Sequence, residues 1–167
     1  MKKIGLFYKT DSTKTALVAE KIKQEFKNNI DVVCVESAWN KEFEAYDNIV
    51  VGASTWFDGE LPTYWDELIP ELKTLNLKNK RVAIFGLGDQ VNYPDNFVDG
   101  IGILAEAFEA AGATIVGCTL PGDYKFNRSL ALKENRLLGL AIDIENQPDK
   151  TDKRVKAWAE QLKKEFE

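Results

Sequence analysis

Short apolar runs alternate with helical patterns along nearly the whole chain, and this alternation limits the fold more than any other feature. Five runs are rich in β-branched residues and end at polar or glycine-containing segments, which predicts strands at 4–8, 32–35, 49–53, 82–87 and 114–118. Apolar residues spaced as on one helix face predict helices at 13–28, 64–72, 96–111 and 152–166. The pattern predicts an α/β fold with a doubly wound, five-stranded parallel sheet covered by helices on both faces.

The polar stretch 120–136 breaks this rhythm, and an apolar run resumes only at 137–144. We interpret the stretch as an insertion that interrupts the fifth strand, because too little chain follows it to build another domain. The 167 residues are enough for one well-buried core and too few for two ordinary domains. Residues 1–167 are therefore predicted to form a single domain.

Composition excludes several classes of function. A net charge of -5 argues against a nucleic-acid ligand, and the absence of histidine removes the commonest general base and metal ligand. No apolar stretch approaches the roughly 20 residues of a membrane span, and the start does not resemble a signal peptide, so a cytoplasmic protein is expected. Cys34 and Cys118 lack CxxC spacing and are predicted to be buried, reduced thiols.

Three loops that follow predicted strands carry the candidate binding residues. Ligands of open α/β sheets lie at the carboxyl ends of the strands, so the three loops are predicted to form one site. The first loop is rich in hydroxyls and opens a helix, where free N–H groups bind anions; its residues are Thr10, Asp11, Ser12, Thr13, Lys14 and Thr15. Ordinary helix capping is the alternative for these hydroxyls. The spacing of a P-loop is absent.

The other two loops carry aromatic residues. Trp56 is close in sequence to Asp58, Gly59 and Glu60, which indicate a surface loop, so it is a candidate for stacking on a flat ring. The alternative is a tryptophan of the core, as predicted for Trp65 and Trp158. Tyr93 follows the segment 86–90, whose glycines let the backbone approach a ring closely. A hydroxyl loop with two aromatic plates suits a flat ring joined to a phosphate.

These motifs together resemble a long-chain flavodoxin over essentially the whole chain. The resemblance rests on the loop 10–15, the Thr55-Trp56 loop, Gly88-Asp89-Gln90 with Tyr93 and Asn96-Phe97, and the tail 139–143 with Asn146-Gln147. The stretch near 120–136 resembles the insertion that separates the long-chain from the short-chain branch. The family usually has glycine at the positions of Lys9 and Thr13.

The resemblance implies an FMN site. Thr10, Asp11, Ser12, Thr13, Lys14 and Thr15 would wrap the phosphate, Trp56 and Tyr93 would sandwich the ring, and Ser54 and Thr55 would lie near the ribityl chain. The backbone of Leu87, Gly88 and Asp89 would meet the pyrimidine edge, and the Phe57-Asp58 peptide would face flavin N5. Gly59 and Asn96 complete the predicted cofactor-binding set.

The implied fold has the strand order 2-1-3-4-5, with FMN at the point where that order reverses. The implied function is that of a low-potential one-electron carrier, not an enzyme. Expected partners are redox proteins such as a ferredoxin-NADP reductase-type flavoenzyme and an electron-accepting enzyme, bound transiently and salt-sensitively by a monomer. One alternative is an FMN-dependent quinone reductase-like enzyme, which would need a substrate pocket over the ring. A phosphoacceptor receiver domain is another, but it needs an aspartate ending the third strand, where Ala53-Ser54-Thr55 stands.

Overall fold

The predicted parallel sheet forms, in the predicted order. The computed structural model describes residues 1–56 and 58–167. Its five main strands are β1 Ile4–Tyr8, β2 Ile30–Cys34, β3 Asn48–Ser54, β4 Arg81–Leu87 and β5 Thr114–Val116, in the parallel order β2-β1-β3-β4-β5. All of β1 and nearly all of β3 and β4 are buried, which explains their continuous apolar sequences.

Helices cover both faces of the sheet, as predicted. They are α1 Lys14–Phe26, α2 Asn40–Glu44, α3 Thr63–Leu72, α4 Asp99–Ala110 and α5 Thr151–Glu165. On one face α1 and α5 pack around Ile22 and Trp158, and on the other α2, α3 and α4 pack around Phe43, Trp65 and Phe108. Trp65 and Trp158 are core residues, as predicted, and their indole N–H groups donate to the carbonyls of Gly52 and Gly117.

The fifth strand position is shared by two short strands, which confirms the predicted interruption. β5 pairs with residues 81–83 of β4, and β8 Leu140–Ile142 pairs with residues 85–87 of the same strand. Between them lies the insertion, residues 117–139, which contains an antiparallel hairpin of β6 Leu132–Lys133 and β7 Arg136–Leu137. Gly117 has φ +74°, a turn geometry that ends β5 two residues before the predicted boundary.

Three local predictions need correction. Helix α2 is absent from the predictions because five residues are too few to show a periodic pattern. Helix α4 begins at Asp99 rather than at residue 96, because Val98 adopts a left-handed conformation that no helix continues through. Cys34 and Cys118 are free but each is only partly buried, so the prediction of two buried core thiols is wrong.

The loops after β1, β3, β4 and β8 all emerge at the carboxyl edge of the sheet, because these strands are parallel. None of the helices in the described part of the chain is long and apolar enough to cross a membrane. Among residues 1–56 and 58–167, no group of three or more carboxylates or thiols could hold a metal ion. The carboxyl edge is thus the place to look for a site.

Candidate functional site

A cavity of about 540 Å³ opens at the carboxyl edge of the sheet. This volume lies within the range of small-molecule and cofactor sites. Most of the predicted binding residues line it: Asp11, Ser12, Thr13, Lys14, Thr15, Ser54, Thr55, Trp56, Leu87, Gly88, Asp89, Tyr93 and Asn96. Lys9, Tyr64, Ile144 and Glu145 line it as well. The three predicted loops therefore do meet in one site.

Three of the described residues in the predicted set, Thr10, Asp58 and Gly59, are not among the lining ones. Thr10 instead lies beside the Cys34 thiol at the end of β2. Asp58 and Gly59 belong to a turn beside the cavity, where the Asp58 carbonyl accepts a hydrogen bond from Asn96 Nδ2 at 2.9 Å. The predictions for Phe57, including the peptide facing N5, lie outside the described residues.

The first loop leads into the N-terminus of α1. Ser12 acts partly as the ordinary cap, since its Oγ accepts from the Ala16 N–H at 3.1 Å and donates to the Lys9 carbonyl at 2.6 Å. The positive end of the α1 dipole faces the loop because the helix begins there. The first turn of α1 contains no acidic residue that would offset this positive charge. Helix-terminal N–H groups and the hydroxyls of Thr13 and Thr15 leave donors there for an anion.

The second loop is a tight turn that presents Trp56. The Trp56 N–H donates to the Glu60 carbonyl at 2.7 Å, and the Glu60 N–H donates back to the Trp56 carbonyl at 2.8 Å. Gly59 has φ +97°, and a Cβ there would lie 2.5 Å from Asp99 Oδ2, so glycine is required. Trp56 is 42% exposed and Tyr93 48%, unusual for large aromatics in the absence of a partner surface. Trp56 is therefore not a core residue.

The third loop is organised by Asp89. Its carboxylate accepts from the N–H groups of Val91 (3.1 Å) and Asn92 (2.9 Å) and from Asn146 Nδ2 (2.8 Å). Burial alone would raise the pKa of Asp89, but these hydrogen bonds outweigh it and hold the pKa below its usual range. Asp89 is therefore a fixed negative charge on the cavity wall. A Cβ on Gly88 would lie 2.9 Å from Val98, so packing alone requires glycine here.

The fourth loop was not identified as part of the cavity wall from sequence. Ile144 and Glu145 follow β8, and Glu145 forms an ion pair with Lys14 of the first loop. The position of residues 144 and 145 just after an apolar run, like that of the other three loops, was the available signal.

Comparison with known proteins identifies the family. The family model described as flavodoxin matches residues 6–158. The flavodoxin of Synechococcus elongatus is 44% identical to the chain, and the match covers 99% of each. The chain belongs to the flavodoxin family. A flavodoxin of a Nostoc species is 45% identical over 99% of this chain and 98% of its own.

Solved flavodoxins confirm the fold. The crystal structure of Fusobacterium nucleatum flavodoxin bound to flavin mononucleotide superposes with a TM-score of 0.94 at 30% identity, over all of both chains. An oxidised flavodoxin from Bacillus cereus superposes with a TM-score of 0.75 at 27% identity, over 98% of this chain and 99% of its own. The resemblance inferred from the motifs is thus confirmed.

Lys9, one of the two departures from the flavodoxin pattern, is held by ionic contacts. Its ammonium lies 3.1 Å from Glu36 Oε1 and 3.8 Å from Asp11 Oδ1, and 5.5 Å from the centre of the Tyr64 ring. The hydrogen bond to Glu36 raises the pKa of Lys9 above its usual range. Lys9, at a position where the family usually has glycine, is thus held by contacts with Glu36 and Asp11 and is not an ordinary solvent-exposed lysine.

Tyr64 gives the cavity wall a testable alkaline titration. Burial disfavours its phenolate, and repulsion from Glu36 and Asp11 adds to this, so the pKa of Tyr64 is raised to about 12. The pKa of Tyr64 in the folded chain lies above the unfolded value of about 10. The contribution of neutral Tyr64 to the free energy of unfolding is therefore complete below pH 10 and is lost as the pH rises towards 12. Urea unfolding should show Tyr64→Phe losing less stability than the wild type across this interval. Parallel losses in the two proteins would contradict the assignment.

Proposed function

We propose that this chain is a low-potential electron-transfer protein that binds FMN non-covalently in the cavity at the carboxyl edge. The observation that supports this most is the lining of the cavity, which combines the N-terminus of α1 with two exposed aromatics, Trp56 and Tyr93. A flavin ring suits the aromatics, and its phosphate suits the helix terminus. The related flavodoxin of Fusobacterium nucleatum is bound to flavin mononucleotide.

Each part of the cavity has a role in this proposal. Bound FMN supplies the one-electron redox chemistry, so the chain needs no general base, which agrees with a sequence without histidine. The loop 10–15 holds the phosphate by N–H and hydroxyl donors. Trp56 and Tyr93 hold the ring and keep water from its faces. The backbone of residues 87–89 supplies N–H and C=O groups for the polar edge of the ring.

Negative charge around the cavity supports a low potential. Asp89 lines the cavity, and Asp58, Glu60 and Asp95 lie on the two aromatic loops. Adding an electron to a flavin places further negative charge among these carboxylates, which disfavours reduction. The same residues make the rim of the cavity acidic.

A quinone reductase-like enzyme is the less supported alternative. Such an enzyme needs open space over one face of the ring for its substrate. Trp56 and Tyr93 both lie on the cavity wall. If they stack on the two faces of the flavin ring, no open face is left for a substrate.

The absorption spectrum of the purified chain tests the central proposal. We expect a yellow protein with about one FMN per chain, released on denaturation because no covalent bond holds it. If the protein is colourless, the apoprotein should be titrated with FMN and should quench flavin fluorescence at a one-to-one ratio. No flavin after purification and no quenching in the titration would overturn the proposal.

Transient, charge-steered contact with basic redox partners is the second part of the proposal. We expect Asp58→Lys and Glu60→Lys to slow electron transfer from a ferredoxin-NADP reductase-type flavoenzyme several-fold at low salt, and added salt to slow the wild type, because opposite charges steer the encounter. Stopped-flow rates at several ionic strengths measure this. A monomer diffusing in the cytoplasm suits such brief encounters.

Glu109→Lys is the matched control for these charge reversals. Glu109 is exposed near the end of α4, at the opposite edge of the sheet from the cavity, and carries the same charge. Equal effects of all three reversals, or rates that do not respond to salt, would contradict steering by the rim of the cavity.

Lys9 is proposed to add positive charge for the phosphate. Lys9→Gly should weaken FMN binding about two- to five-fold at low salt, the usual worth of an exposed ion pair, and should leave riboflavin binding unchanged. Glu36→Gln is the matched variant, because it removes the carboxylate that competes for the ammonium and should tighten FMN binding. Equal changes for FMN and riboflavin in Lys9→Gly would show that Lys9 does not contribute through its charge.

A further inference from the structure

A groove of about 370 Å³ lies beside the cavity at the carboxyl edge of the sheet. Its walls are the short turn that follows β2, the start of α2 and one face of α3, and they include Ala38, Trp39, Tyr64, Glu67, Leu68 and Glu71. Tyr64 lines the cavity as well, so the two spaces are neighbours. We call this second space the acidic groove.

Trp39 is the most exposed tryptophan of the chain. It is 63% exposed, against 42% for Trp56, whereas Trp65 and Trp158 are buried. Its backbone is held at the start of α2, because its N–H donates to Glu42 Oε2 at 2.7 Å and its carbonyl accepts from the Glu42 N–H at 3.1 Å. A large aromatic that is exposed on a fixed backbone is typical of surfaces that bind other proteins.

The acidic groove carries negative charge that the chain itself does not neutralise. Among the described residues that line it, the charged ones are all acidic: Glu36, Glu67 and Glu71. Glu36 is paired with Lys9, but no ion pair within the described part of the chain includes Glu67 or Glu71. These two stand four residues apart on α3, a spacing at which like charges repel each other. A cation between them would relieve this repulsion.

The lining suits a long cationic side chain from another protein. Arginine and lysine have an apolar stem, which can pack on Ala38 and Leu68, and a charged head, which is attracted to the face of an indole and to carboxylates. Arginine suits the groove better, because its planar guanidinium stacks on aromatic rings and binds carboxylates through paired hydrogen bonds. A second copy of this chain is a poorer occupant, since each copy has a net charge of -5.

We propose that the acidic groove is a docking site for a basic partner protein, which inserts one arginine or lysine side chain against Trp39 and between Glu67 and Glu71. This contact differs from charge steering by the rim of the cavity, because a single side chain is held in a groove of its own. None of these three residues lines the cavity, so the partner can dock beside a bound cofactor without displacing it. The inference therefore goes beyond the proposed function and does not depend on it.

A peptide titration followed by nuclear magnetic resonance tests the site. The probe is a short, acetylated and amidated peptide of alternating leucine and arginine, added to the ¹⁵N-labelled protein as purified. Among the indole N–H signals, that of Trp39 should shift most, because Trp65 and Trp158 are buried and Trp56 lies in the cavity. The same peptide with citrulline in place of arginine keeps the shape without the charge. It should bind about ten-fold more weakly or worse.

Charge variants separate the groove from general attraction to an acidic chain. Glu67→Gln together with Glu71→Gln should weaken binding of the arginine peptide about five-fold or more. Glu106→Gln together with Glu109→Gln is the matched control, because both glutamates are exposed on α4, lie outside the groove and change the net charge equally. This control pair should leave the peptide Kd nearly unchanged.

Two variants of Trp39 test the aromatic wall. Trp39→Ala should weaken binding of the arginine peptide about three-fold or more, whereas Trp39→Phe keeps a ring face and should retain most of the affinity. Because the Trp39 side chain is exposed and its contacts with Glu42 use backbone atoms, both variants should keep the urea midpoint of the wild type.

Several results would overturn the inference. They are a Trp39 signal that does not move with the arginine peptide, equal affinities for the arginine and citrulline peptides, and equal losses in the two glutamate pairs. A Trp39 signal that shifts with protein concentration alone would assign the groove to a second copy of the chain instead. A protein that binds FMN but not the peptide would refute this inference alone, and one that binds the peptide but no FMN would refute only the proposed function.

Discussion

Riboflavin is expected to bind this chain at least about a hundred-fold more weakly than FMN. The two ligands differ only in the phosphate, which the loop 10–15 and the N-terminus of α1 are proposed to hold. Hydrogen bonds to charged groups contribute roughly 1.5–3 kcal/mol each, and a hundred-fold corresponds to about 2.7 kcal/mol. Two such bonds therefore suffice. Flavin fluorescence quenching in parallel titrations of the apoprotein measures both affinities, and equal values would refute the phosphate assignment.

Two threonines of the same loop provide a matched test of that assignment. Thr15 lines the cavity, whereas Thr10 does not and lies beside the Cys34 thiol. Thr15→Val removes a hydroxyl while keeping the shape, so it should weaken FMN binding and leave riboflavin binding unchanged. Thr10→Val should affect FMN less than Thr15→Val does. The reverse order would return the phosphate contact to Thr10, as the family resemblance implies.

The sheet was predictable from sequence because its determinants are local. Buried parallel strands are continuous apolar runs, and helices between them show their own period, so both could be recognised within short windows. The hairpin of β6 and β7 was missed because its turn uses Glu134 and Asn135 at positive φ, without the glycine that usually signals such a turn. Val98 ended a helical pattern early by its backbone conformation, which composition does not reveal.

The candidate site was predictable only in part, since some of the contacts that organise it join distant segments of the chain. Three loops were found because each follows a recognisable strand. The pairing of Lys9 with Glu36 and of Gln90 with Asp143 spans 27 and 53 residues, and no local pattern encodes it. Asp143 was noted only as part of a family motif, although it organises a loop of the cavity. Long-range polar contacts therefore remain the part that the structure adds.

Trp56→Ala is expected to weaken FMN binding about ten-fold or more. Trp56 lines the cavity and 42% of its surface is exposed, so part of its ring can contact a ligand there. Stacking of a nucleic-acid base on an aromatic side chain is worth roughly 1–3 kcal/mol, and about 1.4 kcal/mol is a factor of ten. A flavin ring is larger than one base, so the lower end of that range is a conservative expectation. Tyr93→Ala should act similarly for the same reason.

Trp39→Ala is the control that separates stacking from the general loss of an exposed tryptophan. Trp39 is 63% exposed and does not line the cavity, so its removal should leave FMN affinity unchanged. Trp56→Phe and Tyr93→Phe keep an aromatic face and should retain most of the FMN affinity. If the Tyr93 hydroxyl forms a hydrogen bond that supports binding, only Tyr93→Phe should show the loss. Because neither Trp56 nor Tyr93 is buried in the core, the alanine variants should remain folded, and their urea midpoints without flavin should match the wild type. An unchanged FMN Kd in Trp56→Ala would remove this residue from the flavin site and leave Tyr93 as the proposed stacking partner.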